Sequence, residues 1–333
     1  MGSIFAFSAV VTLVLIAFVG VKAVNLYVLF GVIIPYAAVI TFIGGFVLKV
    51  LRWGSAPVPF CIPSTCGQQK SLPWIKQNRL ENPSGTLGVI GRMALEVLLF
   101  RSLFRNLKTQ LHEGSKLAYG EAKWLWLAGL AFHWSFLIIV VRHLRFFMEK
   151  VPAAVQGIEG LDSFMQIGVP LFFISDGVII AAVTYLFLRR VFIPQLKYIS
   201  LPADYFPLFL ILGIAVSGVL MRYFFKVNIE GVKELTMGLV SFHPIDLKKM
   251  EEIGGIFYVH LFLISILFAY FPFSKLMHMG GVFLSPTRNM PNNSRMVRHV
   301  NPWNYPVKVH TYEEYEDDFR AKMKEAGIPV EKE

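Results

Sequence analysis

The chain is poor in charge and nearly devoid of cysteine. Only 16% of its 333 residues are Asp, Glu, Lys or Arg, too few to solvate an ordinary soluble domain. Cys61 and Cys66 are its two cysteines. Two thiols exclude a self-contained iron–sulfur cluster or structural zinc site. They read as free thiols ahead of a disulfide, or of a cofactor ligand set completed by a partner subunit. No Lys or Arg precedes the first apolar run and no small-residue cleavage site follows it, so the run is expected to be a retained helix and not a secretory signal. Ala6 stands where a myristoylation signal carries Ser or Thr. Internal repeats and nucleic-acid-binding motifs are absent, so the formal net charge of +10 is no nucleic-acid footprint.

What is present is hydrophobicity: 55% of residues are hydrophobic and 14% aromatic, and the mean hydropathy is +0.56. Six apolar stretches, 4–21, 26–50, 124–147, 168–188, 205–225 and 253–276, reach the about 20 residues that cross a bilayer. The expected fold is an all-α integral membrane protein with six transmembrane helices. Residues 1–50 form an N-terminal hairpin whose second helix, kinked at Pro35, joins the bundle. Residues 51–123 are a loop with an amphipathic helix, 124–279 carry the main spans, and 280–333 are an extended tail. With so much chain committed to spans, no separate catalytic domain fits. A cytoplasmic N-terminus places the Lys/Arg-rich segments 51–123, 189–201 and the tail on the inner side. Both termini are therefore expected in the cytoplasm, with the chain in the cytoplasmic membrane.

Between Leu87 and His112, Met93, Val97, Phe100, Phe104, Leu107 and Leu111 recur every three or four residues, while Arg92, Arg101, Arg105 and Lys108 lie elsewhere. Such a helix lies in the membrane interface or packs on protein, and the pattern fits both. The tail carries Pro286, Pro291, Pro302 and Pro306, then Glu313, Glu314, Glu316, Asp317 and Asp318. It reads as an extension without its own core, with Trp303 and Tyr305 suited to wrapping over a partner.

Four histidines fall in the spans, His133 and His143 in one, His260 and His278 in another. A neutral imidazole is costly to leave unpaired in hydrocarbon and is an axial haem ligand, so four of them read as a dihaem cytochrome b with the iron of each haem held by two histidines. Spacings of ten and eighteen residues correspond to roughly 15 and 27 Å along a helix. The two spans run in opposite directions, so His133 pairs with His278 towards the inner side and His143 with His260 towards the outer. Ten residues leave His133 and His143 about 80° apart in projection, whereas eighteen return to one face. For each histidine, hydrogen-bonded packing is the competing reading. Arg142, Arg145 and Lys275 are placed to meet haem propionates or to snorkel. Asp176, alone among acids in lying inside an apolar segment, reads as part of a proton route or as a carboxyl bonded to neighbouring helices, with Arg222 as a partner. Glu149, Asp162 and His243 on the outer side are further proton or quinone candidates.

The histidine spacings and order of spans over 26–278 resemble the gamma subunit of respiratory nitrate reductase, a dihaem cytochrome b that takes electrons from quinol. The segment Phe60-Cys61-Ile62-Pro63-Ser64-Thr65-Cys66-Gly67-Gln68-Gln69-Lys70, followed by Trp74-Ile75-Lys76, is similar to the DsrM-like membrane cytochrome b of the Dsr/Hme electron-transfer complex of sulfate reducers. That resemblance implies a quinol-oxidising oxidoreductase subunit with two haem b, oxidising menaquinol near the outer haem. It implies delivery of electrons to a cytoplasmic iron–sulfur subunit related to heterodisulfide reductase, in dissimilatory sulfate or sulfite reduction, beside further membrane and periplasmic subunits. The competing class is a haem-free membrane anchor or transporter whose histidines serve packing or proton transfer. The absence of a clear pair of interrupted helices counts against a transporter.

Overall fold

The computed structural model describes residues 2–58, 62, 67–104, 108–114, 116–120, 122–163, 171–296, 306 and 309–332. Cys61, Cys66, His299, Pro302, Trp303 and Tyr305 lie outside them. Among the described residues, five helices are long and apolar enough to cross a membrane. The first, α1 (Gly2–Lys22), buries Ala6, Val10, Ala17, Gly20 and Val21 and turns Ile4, Phe5, Leu15 and Phe18 outward. In lipid, apolar burial does not drive helices together, so small residues that allow close approach make the contact. The second opens as a π turn, Leu29–Ile33, and continues as α2 (Ile34–Gly54) with Pro35 near its start. Proline lacks an N–H and crowds the carbonyl four residues back, which the wider π turn accommodates.

The loop helix α3 (Thr86–Leu99) ends at Phe100, whose backbone is left-handed (φ 49°, ψ 44°). The helix expected through His112 therefore stops early, because a left-handed residue terminates an α-helix. A short turn, Arg101–Phe104, follows, and then β1 (Lys108–His112) pairs antiparallel with β2 (Lys116–Gly120), Lys108 opposite Gly120. This hairpin is the one departure from an all-α fold among the described residues. Helix α3 is also inverted: Val89, Arg92 and Glu96 are buried while Leu87, Ile90 and Leu98 are exposed. Arg92 donates to the carbonyls of Glu81 (3.0 Å) and Arg288 (2.5 Å), and Glu96 pairs with Arg288 at 2.9 Å. Asn292 donates its backbone N–H to Pro83 and its amide to Asn82, while Gln69 donates to its Oδ1. The loop and the segment after the last span are thereby fastened together.

The third span is α4 (Lys123–His143). After α5 (Ala153–Asp162) comes α6 (Ile174–Phe192), which packs between α4 and α7 (Pro202–Val219) through Ile179, Val183, Ile211, Phe132 and Phe136. The stretch expected to begin at 168 starts its helix at Ile174, and 168–170 lie outside the described residues. Asp176, Arg189 and Arg190 charge both ends of α6, so it falls outside the five helices above. Its 19 residues still span about 28 Å. Helix α7 runs on into a π turn, Leu220–Phe224. Two helices, α8 (Ile229–Val240) and α9 (Leu247–Ile253), then cap the bundle. Their Leu235, Met250 and Ile253 join Leu210, Tyr258 and Leu263 in the main core.

The last span is shorter than expected. Helix α10 (Gly255–Tyr270) gives way to 3-10 turns at Phe271–Phe273 and Lys275–Met277, then to a single turn His278–Gly281. Pro272 removes a ladder hydrogen bond and Ser274 is extended (φ −118°, ψ 176°). Glycine at position 45 makes room for the break, since a Cβ there would stand 2.6 Å from that of Pro272. In the tail, α11 (Tyr312–Glu325) is capped reciprocally by Thr311 and Glu314, so the acidic run forms a helix and not an extended strand. Glu316 is buried and accepts N–H bonds from Glu331 and Lys332, 2.7 and 2.9 Å long.

Candidate functional site: two histidine pairs

The structure brings the four histidines into two ring pairs. His133 and His278 have centroids 5.9 Å apart and nearly perpendicular planes (85°). His143 and His260 are 6.4 Å apart and closer to parallel (23°). Because α10 breaks before residue 278, His278 is not held to the face of His260. The break thus absorbs the 80° offset between His133 and His143 that an unbroken partner helix would not.

Each ring has its Nδ1 engaged. His133 bonds the carbonyl of Gly129 and His143 that of Ile139, both at 2.7 Å, and His278 that of Lys275 at 2.9 Å. His260 bonds Ser217 Oγ on α7 at 2.8 Å, and the Ser217 hydroxyl donates on to Ile214 O at 2.9 Å. An acceptor on Nδ1 places the ring proton there and leaves the Nε2 lone pair for a metal. Two imidazoles about 2 Å from one shared metal have ring centroids roughly 6 Å apart, as both pairs do. No group of three or more His, Cys, Asp and Glu converges among the described residues. A metal between these rings therefore takes its remaining ligands from elsewhere, which a porphyrin supplies. The residues fit haem.

The surroundings of the pairs differ. His260 is buried, packed among the residues of the main core. His143 abuts Phe146, whose carbonyl accepts from Thr236 of the α8 cap at 2.5 Å. His278 is exposed, and His133 is flanked by Phe100 and Phe132 at 4.8 and 4.9 Å.

Beside His143 lies a buried charge cluster. Arg142 donates to Asp162 (2.6 Å) and to Asp176 (3.0 Å). Asp162 also accepts from the Ser175 N–H (2.8 Å) and hydroxyl (2.6 Å), and Tyr223 donates to Asp176 at 3.1 Å. Phe173 is sandwiched between the guanidinium groups of Arg142 and Arg222, 3.6 and 3.9 Å from its centroid. Asp176 sits in the first turn of α6 and not deep within it. Of the cations offered to propionates, Arg145 pairs with Glu159 at 2.5 Å, Lys275 with Asp204 at 2.6 Å, and Arg142 is taken up by its two carboxylates. Arg222 donates to Leu171 O at 3.2 Å and reaches the cluster by stacking on Phe173. The carbonyl of Glu149 accepts from Lys233, and exposed His243 bonds Ser241 O. Neither hydrogen-bonds the Arg142 cluster. Ser217 and Tyr223 escaped sequence reasoning, because a hydroxyl in an apolar span looks the same whether it serves its own helix or a neighbour.

Residues 88–299 match the nitrate reductase gamma subunit family. The chain is 46% identical over 282 residues, 83% of either chain, to the Hdr-like menaquinol oxidoreductase cytochrome b-like subunit of Archaeoglobus fulgidus. It is 38% identical to the subunit of the same description from Archaeoglobus profundus, over 84% of this chain and 83% of that one. The family match covers all four histidines, and the chain belongs to the nitrate reductase gamma subunit family as a multi-pass membrane cytochrome b.

Proposed function

We propose that the chain is a six-span dihaem cytochrome b that oxidises menaquinol near its outer side. It would pass the electrons to a cytoplasmic iron–sulfur subunit related to heterodisulfide reductase, in dissimilatory sulfate or sulfite reduction, as one of several membrane and periplasmic subunits. The observation that carries this reading is the engagement of all four Nδ1 atoms around two ring pairs of matching spacing. Haem b, when bound, supplies one-electron carriers at two depths.

The chain's own residues do the rest. His143 and His260 would hold the outer haem and His133 and His278 the inner, each ring fixed through its Nδ1. A haem held by two imidazoles would serve electron transfer ahead of oxygen binding. The α8–α9 cap keeps water from the outer pair. Menaquinol gives up two protons with its two electrons, and the Asp176 carboxylate, on the outer end of α6 and bonded to Tyr223, is the assigned proton acceptor, with Asp162 behind it. Glu149 and His243 are exit-side candidates. Arg145 and Lys275 are assigned to haem propionates, and Arg142 to the charge cluster that binds it. The 51–123 loop, α3, the hairpin and the tail form the cytoplasmic docking side, as the excess of Lys and Arg in the loop and the pairing of Arg92 with residues 288–290 support.

A pyridine haemochrome assay on the freshly purified complex tests this, with two haem b per chain as the expected result. Haem-free protein would return the chain to the class of membrane anchors.

A further inference from the structure

Three of the four histidines satisfy Nδ1 within their own helical segment: His133 on Gly129 and His143 on Ile139, four residues back, and His278 on Lys275, three back. His260 alone reaches across to another helix, to the hydroxyl of Ser217 on α7. Ser217 is buried at 7% exposure, and its hydroxyl lies between Ile214 O at 2.9 Å and His260 Nδ1 at 2.8 Å; with its proton on Ile214 O, its oxygen accepts from His260. Helix α7 runs close beside the ring, since a Cβ on Gly218 would meet His260 Cε1 at 3.4 Å. The neighbouring buried serines behave otherwise: Ser135 and Ser265 bond only the carbonyls of Phe132 and Leu261 in their own helices.

We infer that Ser217 is the positioning residue of the outer haem site, an inference that rests on the dihaem reading above. By accepting the Nδ1 proton it fixes His260 in the tautomer whose Nε2 faces the iron. It also makes the imidazole a stronger electron donor, which favours ferric over ferrous iron. Because Ser217 lies on α7 and His260 on α10, the strength of that donation depends on how these two helices are packed. No such dependence exists for the other three ligands.

The test is a redox titration of the full complex carrying Ser217→Ala, followed by its visible spectrum, with His143→Ala identifying the outer component. Loss of the outer-shell acceptor is expected to weaken outer-haem retention by about 10–100-fold and to shift that haem's midpoint potential upward. The inner component should stay where it is. Ser265→Ala, which removes a buried hydroxyl from α10 itself, should move neither. If Ser217→Ala leaves both haems bound at unchanged potentials, or if Ser265→Ala shifts the outer haem equally, the role of Ser217 is overturned while the dihaem reading stands. If the unsubstituted complex contains no haem b, both fall.

Discussion

The two histidine pairs contain the same four rings' worth of chemistry in opposite surroundings. The His143–His260 pair joins two regular helices, is covered by α8 and α9, and is braced by a buried ionic cluster. The inner pair joins a regular helix to a broken one, and its His278 is exposed on a single turn. Ligand spacing is nearly the same in both, so spacing alone does not distinguish them. What differs is enclosure: His260 is buried beneath the α8–α9 cap, whereas His278 is exposed.

The most severe way to probe this contrast is to remove one ligand from each pair. His260→Ala and His133→Ala should each reduce haem from two per chain to one, with different spectral components lost. A single substitution that emptied both sites would merge the pairs and end the comparison. Next in size is Arg142→Ala, which strands the Asp162 and Asp176 carboxylates in a buried site. Breaking such a network costs about 3–5 kcal/mol, measurable as a lower unfolding temperature in detergent. At the inner end, Lys275→Ala removes an ion pair whose lysine is 79% exposed. Its Asp204 partner is buried but keeps the Leu201 N–H, and a lysine open to solvent is screened, so the same assay should register a smaller change. An equal loss at the two ends would contradict the difference in enclosure.

The smallest effect is expected on the outer cap, where the hydrogen bond from Lys249 to Glu234 (2.8 Å) holds the lysine above its usual pKa. A raised value in the folded protein means that the contribution is complete below the ordinary lysine value of about 10.4 and is lost as pH rises through the folded value. Lys249→Ala should therefore lower the unfolding temperature slightly at neutral pH, and that difference should close in strongly alkaline buffer. A gap that widened with pH would reverse the assignment.

The apolar helices and the pairing of the histidine rings were legible because hydropathy and a helical rise of known size act locally. The break in the last span was less so. Pro272 is visible in the chain, but Phe271 and Phe273 keep the stretch apolar, and nothing local shows that glycine at position 45 leaves room for the turn. The left-handed Phe100 carries no signal at all, since phenylalanine has no preference for that conformation, and the hairpin beyond it was hidden behind an apparent helical period. The pairing of Asp162 with Asp176 through Arg142 and that of Ser217 with His260 are set by which helices become neighbours. Spacing along the chain does not encode such contacts.

The fastening of the loop to the segment after the last span has a consequence for biogenesis. Asn82 and Arg92 emerge early in synthesis, yet the groups that satisfy them, at Arg288, Met290 and Asn292, are made some two hundred residues later. Until the final span has been made, Asn82 and Arg92 keep only their bonds within the loop, to Gly67 O and Glu81 O. The contact between the loop and the segment after the last span is complete only when the whole chain has been made, so a chain truncated before Arg288 lacks it.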